Sequence, residues 1–138
     1  MSGRPTRLSD FAGLWALRRE IDDRKSGQTG SLSGESSFQP TQDGLLYREE
    51  GTLKLGDQPQ LTASRTYLWS EVSDTEIDVS FEDGRPFHRF NLTKTMPQAE
   101  HLCLPDFYNV TYDFQGWPVW TSDWRVLGPK KDYRMFST

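Results

Sequence analysis

Ile77-Asp-Val-Ser-Phe-Glu-Asp-Gly84-Arg-Pro-Phe-His88-Arg-Phe-Asn-Leu92 is the stretch on which the fold turns. Ile77, Val79 and Phe81 alternate with Asp78, Ser80 and Glu82, the period-two pattern of a strand with one wet face. Asp83-Gly84 supplies the positive φ angles of a tight turn. An extended run follows, with His88, Phe90 and Leu92 in one phase. The turn sets the register: with Phe81 facing inward, the returning strand sends His88 inward with Phe90 and Leu92, so an imidazole enters an apolar face.

Similar strands lie on both sides. Upstream, Trp15, Leu17, Arg19 and Ile21 share one phase between Gly13 and Ile21, although the Ala, Leu, Arg and Glu content also suits a helix. Leu32, Gly34, Ser36 and Phe38 form a weaker second strand whose small residues leave space or allow a bend. Leu45 to Leu55 carries Leu45, Tyr47, Glu49, Gly51 and Leu53 in its apolar phase, and Leu61 to Val72 carries Arg65, Tyr67 and Trp69. A carboxylate and a guanidinium in apolar phases make Arg65 the expected partner of Glu49. Downstream, His101 to Leu104 forms a short strand, then come Tyr108, Val110, Tyr112 and Phe114 in one phase, Val119 to Leu127, and Lys131 to Ser137. About nine or ten strands with short turns indicate an antiparallel all-β barrel or sandwich. No repeat with a period of about 20 to 50 residues is present. Residues 1–10 read as an N-terminal arm, loosely docked or disordered up to residue 7, with a short helical or turn-like lid from Leu8 capped by Ser9 or Asp10. Residues 11–138 read as one domain.

A chain of 138 residues can bury a real core, and its net charge of −4 argues against a general nucleic-acid binder. The 11 arginines outnumber the 5 lysines, which suits internal pairing with carboxylates. The single cysteine, Cys103, forms no internal disulfide. The N-terminus has no apolar signal region and no stretch approaches a membrane span of about 20 apolar residues, so the expected location is cytoplasmic.

Gly13-Leu14-Trp15 resembles the Gly-x-Trp motif of lipocalins and the wider calycin group of up-and-down barrels. In that group the tryptophan closes one end of the barrel and a late arginine packs across it, a part the resemblance gives to Arg125 or Arg134. A larger pattern adds to this: Tyr47-Arg-Glu-Glu-Gly51, Arg65-Thr-Tyr67-Leu-Trp69, Phe81 to His88, His101-Leu-Cys103-Leu-Pro-Asp106-Phe-Tyr108, and Trp124 to Tyr133. Together they resemble a family of small bacterial and fungal proteins of unknown function assigned to the lipocalin-like superfamily, over residues 11 to 134. The resemblance implies a calycin-like barrel and a shared cavity, and no established activity.

The leading expectation is a barrel that binds a small, partly apolar ligand carrying an acidic or polar group. Its candidate ligand-binding residues are Glu49, Arg65, Tyr67, Trp69, His88, Phe90, His101, Cys103, Tyr108, Tyr112 and Trp124. A rival reading is a small hydrolase- or isomerase-type enzyme with His88 or His101 as general acid/base, oriented by Asp106 or Glu49; an unshifted imidazole titrates near neutral pH. Cys103 with a histidine base is a further chemical option. His88, His101, Cys103 and Asp106 are also a conceivable metal set, but the spacing matches no zinc motif and no metal is expected. Haem binding and a protein-interaction module are other classes. No cofactor is specified. The expected partner is a small molecule, with neither nucleic acid nor membrane, and a homodimer stays open. Lys130-Lys131 reads as a solvated turn.

Overall fold

The computed structural model describes residues 4–138; the first three residues of the expected arm lie outside the described residues. A single-turn 3-10 helix, Leu8–Phe11, leads into ten strands: β1 (Gly13–Asp23), β2 (Gln28–Pro40), β3 (Leu45–Leu55), β4 (Leu61–Glu71), β5 (Glu76–Phe81), β6 (Pro86–Asn91), β7 (Gln98–Cys103), β8 (Asp106–Asp113), β9 (Thr121–Gly128) and β10 (Lys131–Ser137). They form one antiparallel sheet in the order β6-β5-β4-β3-β2-β1-β10-β9-β8-β7. The protein is therefore an all-β, nearly closed, up-and-down barrel. Pairing of β1 with β10, from Arg19 opposite Ser137 to Asp23 opposite Tyr133, joins the two halves of the meander. A seam without a hydrogen-bonded ladder remains between β6 and β7. Among the described residues no helix is long and apolar enough to cross a membrane.

β1 is a strand and not a helix, because its alternation places Leu17 and Arg19 inside while Ala16, Arg18 and Glu20 face out. The same rule holds on β2, where Leu32, Ser36 and Phe38 are buried, and on β8, where Val110 and Tyr112 are. It fails once in the central hairpin. Gly84 stands at the tip with φ 92°, as the turn requires. Below the turn, Val79 faces His88 but Ser80 faces Pro86, so Phe87 is the extra residue of a β-bulge. Phe87 and His88 are consequently both buried, whereas strict alternation puts Phe87 outside.

The two ends of the barrel differ. At one end the 3-10 helix tucks Phe11 under the sheet, fully buried and within 5.8 Å, centroid to centroid, of Phe38, Trp69, Phe114, Trp117 and Trp120. Burying such a ring contributes roughly 1.5–3 kcal/mol. Asp10 Oδ2 accepts the Thr6 and Arg7 amides, which caps the turn from within. From Arg4 on, the described part of the arm is docked: Pro5 is fully buried and Arg4 Nε donates to the Leu92 carbonyl at 3.1 Å. Trp15 belongs to this floor, donating Nε1–H to the Phe11 carbonyl and packing on Trp117 and Trp120. The late arginine expected across its ring is not there. Arg125 and Arg134 are out of phase with the inward residues of β9 and β10, and they pair with Asp132 and Asp123 respectively.

Candidate functional site

Above that floor the barrel encloses a cavity of about 250 Å³, slightly below the roughly 300–1,000 Å³ usual for ligand pockets. Its walls are aromatic. Phe87, delivered by the bulge, stacks on Trp124 at 5.1 Å with an interplanar angle of 11°, and on Phe81 at 4.5 Å. Tyr67, Trp69, Tyr108 and Tyr112 complete much of the lining. At the opposite end of the barrel, where the turns after β5 and β7 lie, the lining residue Arg65 has a side chain 44% exposed, and this end is taken as the mouth.

The charged groups of the lining are Arg19, Glu49 and Arg65. Glu49 is 3% exposed and makes a bidentate pair with Arg19, 7% exposed, through Nη1–Oε1 at 2.7 Å and Nη2–Oε2 at 2.8 Å. Tyr47 donates its hydroxyl to Glu49 Oε2 at 2.6 Å, and Arg19 Nε donates to Ser137 Oγ at 2.8 Å. β1 and β3 are not neighbours, and the pair reaches across β2 between Leu32, opposite Arg19, and Ser36, opposite Glu49, where Gly34 and Ser36 are small. A Cβ on Gly34 would lie 2.0 Å from the Glu50 carbonyl oxygen, so only glycine permits the close approach of β2 and β3 at this point. Burial raises the carboxyl pKa, but the bonds and charge from Arg19, the Tyr47 hydroxyl and the Arg65 charge outweigh it, and Glu49 is held below its usual value. Burial lowers the Arg19 pKa, but the bonds and charge of Glu49 reverse this, leaving it raised. Glu49 is thus an anion locked to a cation.

The expected pairing of Glu49 with Arg65 is present, but as the weaker of two ion pairs on that carboxylate. The two residues do face each other across β3 and β4. Arg65, however, leans toward the mouth with its side chain 44% exposed, and its Nε lies 3.8 Å from Glu49 Oε1. Its other polar contact is a weak one, from Nη2 to Met135 Sδ at 3.8 Å. Arg19 takes the first place because it reaches the carboxylate in fork geometry from inside.

His88 is 8% exposed and shares a 2.8 Å hydrogen bond between Nε2 and the Tyr112 hydroxyl. Its Nδ1 is buried without a hydrogen-bond partner. Burial, with the charge of His101 adding to it and that of Asp78 opposing, pushes its pKa down to about 3. A depressed pKa keeps this imidazole neutral at neutral pH, unlike the unshifted group of the proton-transfer expectation. Tyr112 is likewise pushed up by burial and stays protonated.

Eight of the eleven candidate residues line the cavity: Glu49, Arg65, Tyr67, Trp69, His88, Tyr108, Tyr112 and Trp124. Three do not. Phe90 is core, packed on Tyr112 at 4.4 Å. His101 stands behind the wall, edge-on to Phe87 at 5.2 Å. Cys103 is exposed at the end of β7. Asp106 is held by Lys131 at 2.9 Å and orients no histidine. Among the described residues no cluster of His, Cys, Asp or Glu is placed to hold a metal, so the four-residue set is not assembled. Among lining residues that the candidate set lacks are Arg19, Tyr47, Phe87, Ser122 and Tyr133. Arg19 carries the same signal as Glu49, a charge in an apolar phase; Phe87 carries none, because a bulge has no period.

Fold and interior together define a class: a ten-stranded meander barrel, floored at one end, with an aromatic cavity and one buried ion pair. Within it, the chain belongs to the family of unknown function DUF6314, whose match spans residues 11–138. Among solved structures it is similar to the S-type phycobiliprotein lyase CPES from Guillardia theta, with a TM-score of 0.61 and 7% identity over 94% of this chain and 86% of that one. A second solved structure, EF1p2_mFAP2b bound to DFHBI, matches with a TM-score of 0.36 and 10% identity over 96% of this chain and 94% of that one. No curated protein matches the sequence.

Proposed function

We propose that the protein binds a small, partly apolar ligand bearing a single acidic group inside the barrel. One observation carries this reading: the lining holds two guanidinium groups and one carboxylate, and Arg19 consumes that carboxylate. Arg65 is left with its charge facing the mouth, where a carboxylate entering from solvent meets it. The stacked rings of Phe81, Phe87 and Trp124 supply flat apolar walls for the remainder of the molecule. An enzyme reading finds no support in a histidine depressed to about pH 3. A haem reading meets a cavity of about 250 Å³ that lies below the usual ligand-pocket range. Placement among lipocalin-like, calycin-type barrels belongs to the same proposal, supported by the meander order and by Gly13-Leu14-Trp15 at the floor.

Trp69, Trp120 and Trp124 line the cavity, so occupancy is readable by tryptophan fluorescence. In titrations with aryl monocarboxylates and their neutral amides, the acids quench the signal and bind more tightly than the amides. Arg65→Met weakens the acids by about tenfold or more, the worth of a charged hydrogen bond. No saturable quenching by any acid, together with native mass spectrometry of protein purified from its source showing no retained small molecule, rejects the proposal.

A further inference from the structure

Tyr112 and Ser122 are direct cross-strand partners on β8 and β9, and both line the cavity on the floor side. Ser122 is buried, and no hydrogen bond of its hydroxyl is present among the described residues. The Tyr112 hydroxyl has one protein partner, His88 Nε2 at 2.8 Å. Which of the two donates depends on the tautomer of the imidazole. His88 Nδ1 is buried with no acceptor in reach, beside the rings of Phe87 and Trp124. In the tautomer with the proton on Nε2, that nitrogen donates to Tyr112 Oη. With its oxygen accepting, the hydroxyl's own proton then has no acceptor in the protein, and a ligand oxygen in the cavity would supply one.

We propose that Tyr112 Oη and Ser122 Oγ form a second polar subsite at the deep end of the cavity, which takes a carbonyl or hydroxyl oxygen of the ligand. His88, which also lines the cavity, is its positioning residue: in the Nε2-protonated form it fixes the direction in which Tyr112 donates. Trp69, which packs on Tyr112 at a centroid distance of 6.3 Å, marks the level of this subsite on β4. Arg65 is four residues nearer the mouth on the same strand, a rise of about 13 Å along a strand. The ligand class is accordingly an oxygen-substituted aryl monocarboxylate, acid toward the mouth, carbonyl or hydroxyl toward the floor. The inference rests on the binding proposal above and deepens it.

A matched pair of probes tests it: 4-acetylcinnamate and 4-isopropenylcinnamate, equal in charge and both planar at the substituent, the C=O of the first being replaced by C=CH2 in the second. The acetyl compound is expected to bind about tenfold more tightly, one hydrogen bond's worth. Its carbonyl stretch, followed by infrared difference spectroscopy with a carbon-13 label, shifts to lower frequency on binding. Tyr112→Phe and Ser122→Ala each reduce the affinity ratio, and Tyr112→Phe returns the stretch toward its aqueous-free, unbonded position. His88→Phe, which keeps bulk but removes the donor, reduces the ratio and broadens the bound carbonyl band. Equal affinities for the two probes, or a ratio and stretch untouched by both Tyr112→Phe and Ser122→Ala, overturn the subsite while leaving the binding proposal standing. Failure of both probes and of every other aryl acid to bind removes the binding proposal, and the subsite with it.

Discussion

Glu49 shows how a single buried residue sets the character of the interior. Replacing it with Gln leaves Arg19 buried beside a neutral group, which is expected to cost about 3–5 kcal/mol in denaturant unfolding. Arg19→Met combined with Glu49→Leu recovers much of that loss, so a double-mutant cycle on Arg19 and Glu49 reports strong coupling. The corresponding cycle on Arg65 and Glu49 is expected to stay below about 1 kcal/mol, since Arg65 is half exposed and 3.8 Å away. Equal coupling in both cycles contradicts the geometry. His88 adds a pH signature. Its folded pKa is depressed to about 3 from an unfolded value of about 6.5, so the unfolded chain takes up a proton that the folded chain refuses. Its contribution is fully present above about pH 6.5 and is lost as the pH falls toward 3, with a slope of at most about 1.4 kcal/mol per pH unit. Glu49, also depressed, loses its contribution only below its usual carboxylate range. Urea midpoints between pH 6 and 5 therefore isolate the histidine: they fall in the parent protein and hold steadier in His88→Asn, and parallel curves count against a buried neutral imidazole.

Alternation is the reason most strands were legible in the sequence, and two features it does not encode mark what was not. Strand phase alone places Glu49, Tyr67, Trp69 and Tyr112 on the inner face, where they line the cavity. It cannot foresee that Arg19 crosses over a strand to reach Glu49, because that depends on the residues β2 places between them and not on the phase of β1 or β3. Nor can it foresee Phe87, since a bulge shifts the register by one and changes the facing of a single residue. Turn chemistry was more transparent. At Gly84, with φ 92° and open space around a hypothetical Cβ, substitution meets backbone strain alone. Gly84→Val is expected to cost about 1–2 kcal/mol and Gly84→Asn distinctly less. Gly34 is the opposite case: Gly34→Ala drives a methyl group into the Glu50 carbonyl, forces β2 and β3 apart and lowers stability more than Gly84→Val does. A mild Gly34→Ala, judged by thermal unfolding, argues against the close strand approach.

At the scale of the whole barrel the informative feature is the seam. β6 and β7 each have a ladder on one side only, while β1 and β10 are paired on both. Amides of β6 and β7 that point into the seam are expected to exchange with solvent faster, by orders of magnitude, than those in the β1–β10 ladder. Uniform protection around the circumference would mean that the barrel is sealed. The ladder joining β1 and β10 has a further consequence, which concerns the order of events when the chain is made. Every other ladder joins consecutive strands and can form soon after its second member emerges. β1 must wait with an open edge until Lys131–Ser137, the last strand of the sheet, has been synthesised. Closure is thus the most non-local step in the structure and the one that topology slows most. Until it happens, Arg19 lacks Ser137 and the cavity lacks Met135 from its wall, so a nascent chain still missing its final strand holds every aromatic residue of the wall but Tyr133 and still has no vessel to put a ligand in.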